Sequence, residues 1–167
     1  GFAGFQCIAD LGQVVQLADI NPAGSSTPFD FTEFNGALYF AATGTSGREL
    51  YKLASDGTVS LVANISLSGD GNPQGFEVFN DKLYFSARNG TVGTELFVMD
   101  ASEAISVVNI NPGSADSSPS ALTLFDGELY FYATNATNGR EVWRMDTSGT
   151  ATRITASPAT PAVPTTP

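Results

Sequence analysis

The chain has 167 residues, 42% of them hydrophobic, and its 17 acidic and 7 basic residues give a formal net charge of -10 at pH 7. This length and hydrophobic fraction predict one domain with a well-buried core. The negative charge disfavours nucleic acid as a partner, and the lack of long apolar runs predicts no membrane insertion.

The chain begins with two short apolar runs, one around Phe5 to Ile8 and one from Val14 to Ile20. Neither has the basic flank or the long apolar core of a signal peptide, so we expect any secretion signal to have been removed already. Cys7 is the single cysteine and cannot form an internal disulfide. Its favoured role is a small buried apolar side chain, with a reactive thiol as the alternative.

The body of the chain repeats three times, at a spacing of 45 to 46 residues. Each repeat has a turn dipeptide between two aromatic and β-branched runs: Asn35-Gly36, Asn80-Asp81 and Asp126-Gly127. These dipeptides accept the positive φ angles of a type I′ hairpin. The fold is therefore predicted to be all-β, with four strands in each of three segments at about 28–65, 73–110 and 119–155.

A four-stranded repeat of this length has the period of a β-propeller blade. Its motif resembles the ELW-type, or hyalin-like, propeller repeat of large secreted and cell-surface proteins, over roughly residues 14 to 155. The resemblance implies an architecture but no shared catalytic chemistry. The motif residues in the first repeat are Leu38-Tyr39-Phe40, Gly47-Arg48-Glu49-Leu50-Tyr51, Ser55-Asp56-Gly57-Thr58 and Asp19-Ile20-Asn21-Pro22.

Three blades do not close an ordinary propeller, which has about four to eight. Residues 1–20 resemble the last two strands of a further blade, so residues 1–156 are predicted to form a propeller-like array of three blades plus an N-terminal half blade. The open edge of a half blade exposes unpaired backbone groups that invite another strand. The candidate assembly residues in this segment are Phe5, Cys7 and Ile8.

Residues 157–167 form a tail rich in Pro, Thr and Ala, in which every third residue is a proline. Three residues per turn is the period of polyproline II, so the tail is predicted to be an extended rod about 34 Å long. One hypothesis is a strut that binds a neighbouring subunit, and the other is a plain spacer. The prolines of the candidate strut are Pro158, Pro161, Pro164 and Pro167.

Side chains that carry chemistry are scarce, since the chain has no histidine, one cysteine and no glycine-rich phosphate loop. The usual nucleophile–base pairs and transition-metal sites cannot be assembled, so the sequence predicts no enzyme, no cofactor and no metal. Glu49, Glu95 and Glu141 recur at one position of the repeat. Acid–base catalysis would require these carboxylates to lie in one site, but each belongs to a different repeat. A structural role in binding backbone N–H groups is therefore favoured.

Other recurring side chains also have a functional and a structural interpretation. Asp70, Asn72 and Asp116 offer loop oxygens to a metal, but the pattern of a calcium loop is incomplete and solvated turns are favoured. Trp143 is expected in the core. Packing between blades is favoured over sugar stacking for three adjacent aromatic pairs, because neighbours along a strand point to opposite faces; they are Tyr39 with Phe40, Tyr84 with Phe85, and Tyr130 with Phe131.

Three N-glycosylation sequons begin at Asn64, Asn89 and Asn135, and chance alone would give about two. Asn89 and Asn135 occupy equivalent loops, where a glycan would stand clear of the sheet. The tail has the composition of an O-glycosylated stalk, with candidates Thr160, Thr165 and Thr166.

These observations predict a non-enzymatic structural protein, the self-assembling subunit of an extracellular fibre or surface coat. The expected partner is a further copy of the chain, and glycans are a second candidate. The alternatives are a glycan-binding or adhesive propeller closed by oligomerisation, or a part of a longer surface protein.

Overall fold

A computed structural model describes residues 14–155, and within them the protein consists of twelve β-strands and no helix. The all-β prediction is confirmed. The strands are β1 (Phe29–Phe34), β2 (Ala37–Gly44), β3 (Gly47–Leu53), β4 (Val59–Ala63), β5 (Gln74–Phe79), β6 (Lys82–Ala87), β7 (Glu95–Met99), β8 (Ile105–Val108), β9 (Ser120–Phe125), β10 (Glu128–Asn135), β11 (Gly139–Met145) and β12 (Ala151–Arg153).

The strands form three antiparallel sheets of four, and each sheet takes its strands in chain order. We call them the first sheet (β1–β4), the second sheet (β5–β8) and the third sheet (β9–β12). The hairpin between the first two strands of each sheet has positive φ at both turn residues, 48° and 76° at Asn35 and Gly36 in the first. The predicted type I′ turns are confirmed, and they fix the register of each hairpin.

The first strand of each sheet is bulged at one equivalent position. The pairing register shifts between Phe29 and Thr32 in β1, and corresponding shifts occur in β5 and β9. Asp30, Gly75 and Ala121 lie at these shifts with φ of 61°, 68° and 54°. Because a bulge bends and twists its strand, the three sheets share one shape and can stack in the same way.

The core consists of two layers, one between each pair of consecutive sheets. Tyr39 and Leu50 of the first sheet pack with Phe85 of the second. Tyr84, on the opposite face of the second sheet, packs with Phe131 of the third. Alternation along β6 thus places Tyr84 and Phe85 in different layers, as expected from packing between sheets.

Residues 14–20 differ from the sequence-based prediction of a strand, because the structure assigns no strand before Phe29 within the described part of the chain. Val14 to Ile20 are thus not assigned as a strand, and the other part of the predicted half blade, residues 1–13, lies outside the described residues. Ile20 instead packs against Phe40 and Tyr51. The described residues also contain no helix long and apolar enough to cross a membrane.

Two groups of predicted assembly residues lie outside the described residues. They are Phe5, Cys7 and Ile8 near the N-terminus, and Pro158, Pro161, Pro164 and Pro167 in the tail. Thr160, Thr165 and Thr166 lie outside them as well.

Candidate functional site

The connection from the first sheet to the second is held by a buried carboxylate. Glu49, near the start of β3, has no exposed surface. Its Oε2 accepts the backbone N–H of Ile65 at 2.7 Å, and its Oε1 accepts that of Gly71 at 2.9 Å. Both donors lie between β4 and β5, so this side chain fixes both ends of the loop that leads to the next sheet.

Glu95 repeats this arrangement between the second and third sheets. Its carboxylate accepts the N–H groups of Ile110 at 2.9 Å and Asn111 at 3.3 Å, and the hydroxyl of Ser117 at 2.6 Å. Glu95 is fully buried, whereas Glu141 at the same position of the third sheet is half-buried. The structural role is thus confirmed for Glu49 and Glu95, and the three carboxylates lie in separate sheets rather than in one acid–base site.

The loop aspartates also bind backbone groups. Asp70 Oδ1 accepts the N–H of Arg48 at 2.8 Å, and Asp116 Oδ1 accepts that of Thr94 at 2.5 Å. The described residues contain no group of three side chains placed to hold a metal ion.

Trp143 is buried, and its Nε1 donates to the carbonyl of Ala133 at 3.1 Å.

The sequons lie at strand ends. Asn64 is exposed just after β4. Asn89 follows β6, and its Oδ1 accepts the N–H groups of Thr91 and Val92, both at 3.0 Å. Asn135 ends β10, and its Oδ1 accepts the N–H of Asn138 at 2.8 Å. In Asn89 and Asn135 the side-chain oxygen thus accepts backbone hydrogen bonds, and the side-chain nitrogen, the atom to which an N-linked glycan is attached, is not used in these bonds.

The outer face of the first sheet is apolar and incompletely covered. We call it the leading face and define it as Phe31, Phe40, Ala42, Tyr51 and Leu53, which point away from the second sheet. An apolar cavity of about 260 Å³ lies between this face and Val15, Leu17 and Ala18 of the N-terminal segment. Phe31 remains 54% exposed.

The outer face of the third sheet is uncovered in the described residues. We call it the trailing face and define it as Phe125, Tyr130, Tyr132 and Val142. Phe125 is 70% and Tyr132 is 47% exposed. Phe125 and Tyr130 pack edge to face, with ring centroids 5.9 Å apart. Among the described residues the stack therefore ends on an exposed aromatic face at the third sheet and on a mostly buried face with one exposed aromatic ring, Phe31, at the first. Exposed apolar patches of this kind are typical of interaction sites.

No family model matches the chain, and no curated protein matches it. Solved structures of β-propeller-like proteins resemble its fold. A variant of puromycin hydrolase complexed with PGG has a TM-score of 0.57 at 18% identity, over 81% of this chain and 21% of that chain. TolB from Acinetobacter baumannii has a TM-score of 0.54 at 18% identity, over 78% of this chain and 33% of that chain. The chain thus spans only about a fifth to a third of the length of these structures.

The prediction that the protein is not an enzyme is contradicted by this comparison, since one of the similar structures is a hydrolase. The prediction rested on the lack of histidine in this chain. The fold occupies 21% of the hydrolase chain, so most of that enzyme lies outside the similar part. A scarcity of catalytic side chains within such a part does not exclude an enzyme.

Replacing either buried carboxylate should destabilise the fold. Glu49→Ala and Glu95→Ala each remove the acceptor of at least two backbone N–H groups, so each should lower the free energy of unfolding by about 2–5 kcal/mol. Glu141→Ala is the matched control and should cost less, because Glu141 is half-buried. Urea denaturation followed by circular dichroism measures all three, and equal losses would contradict the role assigned to the buried pair.

The stability should also depend on pH in two opposite ways. Burial raises the pKa of Glu49 and Glu95 above the usual 4.5, so their contribution to the free energy of unfolding falls as pH rises above 4.5. Hydrogen bonds from their own turns lower the pKa of Asp56, Asp100 and Asp146 below the usual 3.8, so their contribution is lost as pH falls below 3.8. The first effect should lower the melting temperature as pH rises above 4.5, and the second should lower it as pH falls below 3.8.

The double variant Glu49→Gln, Glu95→Gln tests the decline of melting temperature above pH 4.5. Its melting temperature should decline less steeply above pH 4.5 than that of the unaltered protein, whatever its absolute stability, because neither side chain can ionise. Superimposable slopes in the two proteins would show that general charge repulsion causes the decline instead.

Proposed function

We propose that the three sheets are blades of an incomplete ELW-type propeller, and that the chain is a self-assembling module of an extracellular fibre or surface coat. In this proposal the trailing face of one copy packs on the leading face of the next. The observation that carries it is that, among the described residues, the trailing face is exposed and the leading face keeps Phe31 exposed at 54%, while the equivalents of both faces are buried against each other within the stack.

The two internal layers provide the template for this contact. Phe40 and Tyr51 of the leading face correspond to Phe85 and Phe97 of the second sheet, which are buried against the first. Tyr132 of the trailing face corresponds to Ala41, which is buried against the second sheet. The docking of a third sheet on a first sheet thus repeats a contact that the chain already makes twice.

Polar groups at the rim of the internal layer have counterparts on the outer faces. Tyr39 donates to Glu103 of the second sheet at 2.9 Å, and Lys52 forms an ion pair with the same carboxylate. Arg144 takes the place of Lys52 in the third sheet. Asp56 lies in the turn of the first sheet that corresponds to the turn of Glu103. In the proposed contact Arg144, which pairs with Glu128 in its own sheet, therefore approaches an acidic turn of the next copy.

The contact is heterologous, because two different faces meet. Such a contact gives a filament when it does not close and a ring when it does. The N-terminal segment covers part of the leading face, so the second copy packs on Phe31 together with the exposed side chains of Val15 and Leu17.

Charge substitutions on one face at a time test this assembly. Phe31→Glu should disable the leading face and Tyr132→Glu the trailing face, so each variant alone should be monomeric in sedimentation velocity. An equimolar mixture should form dimers, because the first variant keeps its trailing face and the second its leading face. The unaltered protein should form larger species.

The matched control is Leu67→Glu, since Leu67 is 88% exposed in the loop between β4 and β5 and belongs to neither face. This variant should assemble like the unaltered protein. A mixture that stays monomeric, or a Leu67→Glu variant that fails to assemble, would overturn the head-to-tail contact.

An extracellular location belongs to the same proposal, and equivalent positions of Asn89 and Asn135 support it. Secreted expression in a eukaryotic host should attach a glycan to both, and Asn89→Gln and Asn135→Gln should each remove one. Mass spectrometry of the intact protein counts the glycans. Unmodified asparagine at both positions would leave the location without this support.

A further inference from the structure

A polar cavity of about 320 Å³ lies where the first and second sheets meet, at the end from which β1 and β5 start. Its lining comes from the ends of several strands and from the connecting loop. The side chains that line it are Phe29, Arg48, Asn72, Gln74, Arg88 and Thr94. A cavity of this volume is at the lower end of the range for small-molecule sites.

Two arginines, Arg48 and Arg88, line the cavity, and neither forms an ion pair with a carboxylate among the described residues. Only two ion pairs occur among residues 14–155, Lys52 with Glu103 and Arg144 with Glu128. Arg48 donates to the hydroxyl of Thr27 at 2.9 Å, and its guanidinium lies 5.0 Å from the centre of the Phe29 ring. These neutral contacts orient Arg48 without neutralising its charge.

The repeat itself does not require this pair of arginines. Threonine occupies the position of Arg48 in the second sheet, at Thr94, and the position of Arg88 in the third, at Thr134. Arg88 and Thr134 make the same backbone contact with the preceding loop. The N–H of Arg88 donates to the carbonyl of Gly71 at 2.9 Å, and the N–H of Thr134 donates to that of Ser117 at 2.8 Å. The backbone contact is thus independent of the arginine side chain.

We propose that this cavity binds an acidic sugar, a ring of hydroxyl groups that carries one carboxylate. The guanidinium fork matches the two oxygens of a carboxylate. The amides of Asn72 and Gln74 and the hydroxyl of Thr94 can pair with sugar hydroxyls in either direction. The overall charge of -10 does not prevent this, because salt screens distant charges beyond about 8 Å under physiological conditions.

Glucuronate, glucose and inorganic sulfate are the three probes, each titrated by NMR into Tyr132→Glu, so that assembly does not interfere. Glucuronate should bind, with shifts confined to residues of the cavity, and the other two should bind at least about tenfold more weakly. Arg48→Gln and Arg88→Gln should each weaken glucuronate binding about tenfold or more.

Arg140→Gln is the matched control, because Arg140 occupies the repeat position of Arg48 in the third sheet and lies outside the cavity. It should leave glucuronate binding unchanged. Equal binding of glucose, equal or tighter binding of sulfate, an equal loss in Arg140→Gln, or no binding of glucuronate would each overturn the assignment. None of these outcomes depends on whether the leading and trailing faces assemble.

Discussion

The stacking of the sheets depends on a carboxylate that is buried at the start of the third strand of the repeat. Removing an ionised carboxylate from water costs several kcal/mol, and this cost is offset only if its oxygens accept enough hydrogen bonds. Glu49 and Glu95 obtain those bonds from the loop that leads to the next sheet. The loop must therefore adopt one path, and the first strand of the following sheet begins at a fixed place.

Fixed stacking determines which apolar faces meet and which remain open. Fully burying one large apolar side chain stabilises by about 1.5–3 kcal/mol, so the few exposed aromatic residues of one face offer several kcal/mol on docking. The loss of translational and rotational freedom on association costs a comparable amount, about 4–15 kcal/mol. The proposed contact between copies is therefore weak by itself, and complementary charges at its rim matter mainly for selecting the partner.

Much of the fold could be predicted from the sequence because its determinants are local. The Asn35-Gly36 turn and its equivalents specify hairpins through positive φ, and alternation places Tyr84 and Phe85 on opposite faces. The segment from Val14 to Ile20 has a strand-like pattern but is not assigned as a strand, because local pattern alone does not supply the hydrogen-bonded neighbour that a strand needs. The partners of Glu49 lie 16 and 22 residues away in a loop, which no pattern within the repeat identifies.

The two arginines of the polar cavity could not be recognised from sequence, because Arg48 and Arg88 are 40 residues apart and belong to different sheets. The loop that Glu49 holds brings the backbone around the two arginines together. Gly71, which donates to Glu49, also donates to the carbonyl of Arg48 at 3.0 Å, and Asn72 donates to the same carbonyl at 3.1 Å.

The corresponding carbonyl in the second sheet, that of Thr94, accepts N–H groups from Ser117 and Ser118 at 2.9 and 3.0 Å. The repeat therefore builds the same backbone frame twice and places two arginines around only one of the frames. Since the frame forms with threonine and serine side chains as well, it does not require both arginines, and the proposed anionic ligand is the partner that would use their combined charge.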